Sequence, residues 1–159
     1  MEHGVAEEHD FGILLGLAYQ AFVAELHQAL AAAGFDDVKP SFGFVLRVLD
    51  RGPRTASQLA ELLDISNPGS TKIVGEMVAA GYVERRPDPA DGRARLLFLS
   101  ARGQAALAAA RRFHRSYERS LIQRHGSEAV TALRDLLTAM ARGRVSDDAP
   151  DARLRAMFI

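Results

Sequence analysis

TASQLAELLDISNPGSTKIVGEMVAAGYVERRPDPADGRARLLFLSARG, residues 55–103, decides the fold. Thr55 is placed to cap a helix in which Ala56, Leu59, Ala60, Leu62 and Leu63 recur at helical spacing, leaving Ser57, Gln58 and Glu61 wet. Asp64 falls at the corner, where a residue tolerant of left-handed backbone is needed. Ser66 caps a second helix, and Pro68 sits in its first turn, where a missing amide proton costs little. Ile73, Val74, Met77 and Val78 form the buried stripe of that helix, and Asn67, Gly69, Ser70, Thr71 and Lys72 its exposed leading face. Gly81 ends it. Tyr82 to Arg86 and Arg95 to Leu99 then alternate as two strands around a tip of Pro87, Asp88, Pro89, Ala90, Asp91 and Gly92. Helix, turn, helix and ribbon make a winged helix-turn-helix.

The chemistry of these elements points to duplex DNA. Asn offers a donor with an acceptor, Thr a hydroxyl with a methyl, and Lys a charge, which is what base edges and phosphates require. The first turn of the second helix is the part that reaches the major groove in this motif. Arg93 and Arg95 follow the ribbon tip, where an exposed arginine can enter a narrow minor groove while Asp91 orients it.

Residues 40–103 resemble the DNA-binding lobe of the MarR (multiple antibiotic resistance regulator) family of bacterial transcription factors. The resemblance rests on Asp91-Gly92-Arg93, a strand, and Leu99-Ser100-Ala101-Arg102-Gly103, matching the pattern D-x-R, strand, L-[ST]-x-x-G. Flanking helices extend it to roughly residues 10–143. It implies a mainly α chain with a small β-wing: a winged helix-turn-helix lobe over 40–100, and a helical dimerisation lobe from 10–34 and 101–143. Residues 1–9 are expected as a flexible tail and 144–159 as a second tail. By resemblance Asn67, Pro68, Thr71 and Lys72 occupy groove-reading positions and Arg93 is the wing-tip arginine; Ser57, Ser70, Asp91 and Arg95 complete the predicted DNA contacts. The chain departs from the family pattern at Asp64, where Gly is common, at Asn67 and Lys72, where Arg is common, and at Gly69 and Gly75. Gly75 in mid-helix is expected where another backbone passes close by.

Charge is distributed unevenly although the formal total is zero. Residues 1–38 hold seven acids and no Lys or Arg, while residues 85–124 hold ten Arg against three acids. The wing and the helix after it are therefore basic. With no cysteine, thiolate metal sites, disulfides and cysteine-based oxidant sensing are excluded. The opening MEHGVAEEHD lacks the positive start and apolar core of a signal peptide, and the charge-free run Phe11–Ala24 is too short to span a bilayer. A cytoplasmic protein is expected.

Outside the winged helix, Phe11 to Ala33 reads as an apolar helix ending at Gly34, Ser100 as the cap of a long helix to about Arg124, and Ser127 as the cap of a last one. So much apolar surface on terminal helices predicts a homodimer, with two recognition helices about 10 base pairs apart on a pseudo-palindrome. Arg144 to Ala152 reads as a mobile strap whose apolar end, Leu154, Met157, Phe158 and Ile159, docks on the partner subunit.

The histidines, His3, His9, His27, His114 and His125, form no H-x-x-x-H pair, and no nucleophile elbow, P-loop or dinucleotide fingerprint occurs. No metal, cofactor or catalytic residue is expected. His27 and His114 fall on helices expected to face each other and are read as satisfied or solvated groups, with a shared pocket as the alternative. Phe42, Phe44, Phe22, His27, Phe113 and Tyr117 are core residues or the lining of a cleft. The resemblance implies a small aromatic or phenolic anion in such a cleft, with Arg86 or Arg115 as counter-charge, so the predicted ligand set is Phe22, His27, Phe44, Phe113 and Tyr117. A regulator, most simply a repressor, is the reading; the alternative is a winged-helix protein-interaction module that does not bind DNA.

Overall fold

The computed structural model describes residues 10–141, and the two predicted tails, with the strap and its apolar end, lie outside them. Six helices and one two-stranded sheet follow in the order α1 (Phe11–Ala32), α2 (Phe42–Asp50), α3 (Ala56–Leu63), α4 (Asn67–Ala79), β1 (Val83–Pro87), β2 (Arg95–Leu99), α5 (Ala101–His125) and α6 (Ser127–Ala141).

Local chemistry sets most boundaries. Thr55 and Gln58 form a reciprocal capping box, with Gln58 N–H donating to Thr55 Oγ1 at 3.2 Å and Thr55 N–H to Gln58 Oε1 at 2.9 Å. Asp64 closes α3 in the left-handed conformation at φ 52°, ψ 47°. Ser66 Oγ accepts from Gly69 N–H at 3.1 Å, opening α4. At the other end of α4, Gly81 adopts φ 77°, its N–H bonds Val78 O, and Tyr82 N–H bonds Met77 O. That is the Schellman arrangement, which glycine supplies without a Cβ penalty. The same pattern closes α1 at Gly34. One predicted cap fails: α6 begins at Ser127 itself, and the carbonyl of Gly126 receives the Val130 amide, so Gly126 occupies the capping position.

The wing pairs antiparallel from Val83↔Leu99 to Pro87↔Arg95, and Arg54 adds an isolated bridge to Leu97 on the far side of β2. Leu97 is thereby buried between wing and helices. The core collects Phe42, Val45 and Leu49 of α2, Leu59 and Leu63 of α3, Val74 and Met77 of α4, Tyr82, Leu97, and Leu107 of α5. Phe42 is thus core rather than cleft.

At 22 residues, α1 is long and apolar enough by length and composition to cross a membrane, because it runs past the charge-free segment through Glu25. In the fold it is a packing helix: Phe22 stacks on Phe113 and Tyr117 of α5 at 5.5 and 5.0 Å between ring centres, and Leu30 is buried in the core.

The start of α5 is the tightest junction. Ser100 N–H donates to Tyr82 O at 3.0 Å, Ser100 Oγ donates to Gly81 O at 2.5 Å, and Gly103 N–H donates to Ser100 Oγ at 3.0 Å. A Cβ at Gly103 would stand 2.2 Å from the Tyr82 carbonyl oxygen. The glycine of the L-[ST]-x-x-G pattern is therefore required by backbone contact. Beside it, the Tyr82 hydroxyl donates to Asp37, and Arg102 bonds both that carboxylate at 3.0 Å and the Tyr82 oxygen at 3.1 Å while lying over the Tyr82 ring.

Gly75 behaves in the opposite way. Among the described residues nothing lies within 4 Å of a Cβ built there, so none of them supplies the close backbone expected of it. Two substitutions separate these glycines in thermal denaturation. Gly103→Ala should destabilise by about 1–3 kcal/mol or more through overpacking against backbone, whereas Gly75→Ala should stabilise by up to about 1 kcal/mol from helix propensity.

Burial first, then the hydrogen bond and charge of Asp37, push the Tyr82 phenol up to about 12. Because the folded value exceeds the unfolded one, this contribution to stability is complete below about pH 10 and is lost as pH rises toward 12. Alkaline denaturation should therefore show a loss of stability across that window that is reduced in Tyr82→Phe; an identical profile for the variant would show that the phenol contributes nothing.

Candidate nucleic-acid interface

Helix α4 presents two chemically distinct faces. Val74 and Met77 are fully buried, while Asn67, Pro68, Thr71 and Lys72 are exposed. Ser70 departs from the predicted set: it is 0% exposed, and its hydroxyl donates to Ala56 O at 2.7 Å. It closes α4 onto the first turn of α3 and has no surface to offer DNA. Ser57, exposed in the first turn of α3, remains available. Gly69 has a local reason, since a Cβ there would lie 3.0 Å from the Ser66 capping hydroxyl. Gly75 stands four residues after Thr71 and three after Lys72, on the same outward face, where its missing side chain leaves the helix backbone uncovered.

On the wing, Asp91, Arg93 and Arg95 are all exposed. Asp91 acts differently from its predicted role. Its carboxylate accepts the backbone N–H of Arg93 at 3.0 Å, and Asp88 does the same for Ala90 at 2.9 Å. These two Asx turns fix the backbone of the tip. Asp91 sets where the Arg93 side chain departs by holding its main chain. Arg54 brings a further cation to the wing, its backbone joined to Leu97 and its guanidinium turned onto Pro53 O at 2.9 Å. It was missed because its recruitment depends on a bridge between segments 43 residues apart.

The predicted aromatic cleft divides in two. Phe22, His27 and Phe44 line a cavity of about 180 Å³ between α1, α2 and α5, while Phe113 and Tyr117 lie outside its lining and stack against Phe22. The histidine pair does share this space, because His114 lines it with His27. The cations differ from those predicted. Arg86 is on the wing, paired with Glu84 at 2.9 Å and lying over Phe98, and Arg115 lines a different groove. The cavity instead has Arg47, 3.0 Å from His114 Nε2, and Lys39 at its rim. Lys39 also bonds Glu76 of α4 at 2.9 Å, and this pair holds the Glu76 carboxyl below its ordinary range. Among the described residues no group of His, Asp and Glu is arranged to hold a metal ion.

Two helices meeting at a left-handed Asp corner, with an arginine-bearing ribbon leading from the second, define a winged helix-turn-helix protein. Residues 37–94 match the model of the MarR family. Solved structures agree over most of the chain. A transcriptional repressor, CouR, bound to a 23-mer DNA duplex matches with TM-score 0.68 and 26% identity, over 89% of this chain and 99% of that one. A probable transcriptional regulator from Pseudomonas aeruginosa gives 0.63 and 26%, over 84% and 98%. Wild-type MarR from E. coli in its apo form gives 0.62 and 22%, over 83% and 97%. A comparison with curated protein sequences returned no match.

Proposed function

We propose that the chain is a sequence-specific DNA-binding regulator of transcription, a cytoplasmic homodimeric repressor and not an enzyme, released from a pseudo-palindromic operator by a small aromatic anion. The observation that carries the reading is the division of α4, with Val74, Met77 and Ser70 sealed inside and Asn67, Thr71 and Lys72 exposed one element away from the Arg93 wing. The DNA-bound state of the CouR structure supports it. Ser57 and Arg95 would add phosphate contacts, and the uncovered backbone at Gly75 lets α4 seat closely in the groove.

Dimerisation is supported by apolar side chains that the single chain leaves in water. Phe11, Leu17, Leu136 and Met140 are 68, 48, 64 and 53% exposed, on α1 and α6. Apolar surface left exposed in this amount is ordinarily covered by another protein, and a two-fold contact is the commonest way. None of these side chains belongs to α4 or the wing, so the partner and the DNA do not compete for one surface.

The proposed ligand site is the cavity of Phe22, His27 and Phe44. Its volume is close to the roughly 150 Å³ known to accept a benzene ring, and Arg47 and Lys39 supply the counter-charge for an acidic substituent. An anion that takes Lys39 competes with Glu76, so occupancy reaches the recognition helix through one ion pair. The coupling needed is modest, about 1–3 kcal/mol.

Fluorescence anisotropy with DNA flanking the chain's own gene, run across a salt series, tests the reading. Preference for one site over random duplex and a steep fall of affinity with salt are expected; salt-insensitive or sequence-indifferent binding would refute it. Arg93→Ala should weaken binding by about 1–3 kcal/mol without changing the melting temperature, and Lys72→Ala should lower both affinity and discrimination. Gly75→Ala should bind DNA less well although it folds more stably.

A further inference from the structure

The arginines of α5 are treated in two ways. Arg102 and Arg111 are paired, with Asp37 at 3.0 Å and Asp50 at 2.7 Å, whereas Arg112, Arg115 and Arg119 meet no carboxylate among the described residues. These three stand at i, i+3 and i+7, which gathers them on one face of the helix. That face is opposite the Leu107, Ala110 and His114 side that lines the cavity toward α2. With Ser116 they rim an open groove of about 510 Å³, whose apolar lining is Ala29 and Ala33 of α1 with Ala109 and Phe113 of α5.

Like charges a turn apart repel, so an empty groove of this composition is disfavoured and an anion relieves it. The guanidinium fork matches phosphate oxygens two at a time, and three forks in a row exceed what one phosphate can occupy. The apolar lining includes no acid to compete. We propose that this groove binds a compact polyanion of two or three linked phosphate groups, held by Arg112, Arg115 and Arg119 with Ser116 donating a further hydrogen bond. The same chemistry is carried by free oligophosphate and by the phosphate chain of a nucleotide. Because the groove lies on the side of α5 away from α2, the site is separate from the winged helix and does not depend on DNA binding.

Isothermal titration calorimetry of the full chain with tripolyphosphate, with pyrophosphate and with adenosine diphosphate tests it. One tripolyphosphate per chain is expected. The triple variant Arg112→Gln, Arg115→Gln, Arg119→Gln should raise Kd by about a hundredfold, as expected for losing at least two charge-assisted contacts, with unchanged circular dichroism and melting temperature in the absence of anion. The double variant Lys72→Ala, Arg93→Ala should bind as the parent does. Tighter binding of adenosine diphosphate than of pyrophosphate would identify the nucleotide as the source, and equal binding the phosphate chain alone. Absence of heat at millimolar anion, equal affinity in the triple variant, or loss confined to the double variant would overturn the proposal.

Discussion

The contact between Gly103 and the Tyr82 carbonyl is the constraint on which the rest depends. Helix α5 must start hard against the residue that leaves α4, with Ser100 bonded to both Gly81 and Tyr82. The end of α4, the foot of the wing and the first turn of the long helix therefore share one small patch of backbone. Arg102, stacked on Tyr82 and bonded to Asp37, draws the loop after α1 into the same patch. Any displacement of α5 relative to α1 is thus delivered to α4 and the wing together, since no slack backbone separates them. If the proposed dimer moves its DNA-binding lobes, such stiffness would couple that motion to the subunit contact.

How far the sequence was legible depended on how local the cause was. Thr55, Asp64, Ser66 and Gly81 act on backbone within a few residues, and each sits in the role its chemistry suggested. Ser70 did not, because helical period places it beside exposed neighbours, and only the packing of α3 against α4 decides that its hydroxyl meets Ala56. Asp91 stands in the expected turn but holds the main chain of Arg93. The glycine of the L-[ST]-x-x-G pattern was legible as a motif, while its cause, a backbone 21 positions earlier, was not.

The cavity shows the same limit more sharply. Phe22, His27 and Phe44 announce themselves as aromatic or titratable side chains on apolar faces. Arg47 and Lys39 do not, since an arginine in α2 and a lysine in the preceding turn look like ordinary surface charges until α1, α2 and α5 form a cavity beside them. Phe113 and Tyr117 carry the same aromatic pattern, and the aromatic cluster with Phe22 takes them instead. Residues that fill a cluster and residues that line a void have the same sequence signature.

The bridge between Arg54 and Leu97 also bears on how this chain tolerates crowding. It seals one margin of the ribbon, and the opposite margin is five residues long, charged at Glu84, Arg85 and Arg86, and terminated by Pro87, which has no amide hydrogen to offer. Neither margin is a template onto which a stray extended segment can zip. A chain with apolar side chains exposed on its helices thus keeps its β element out of amyloid-like growth.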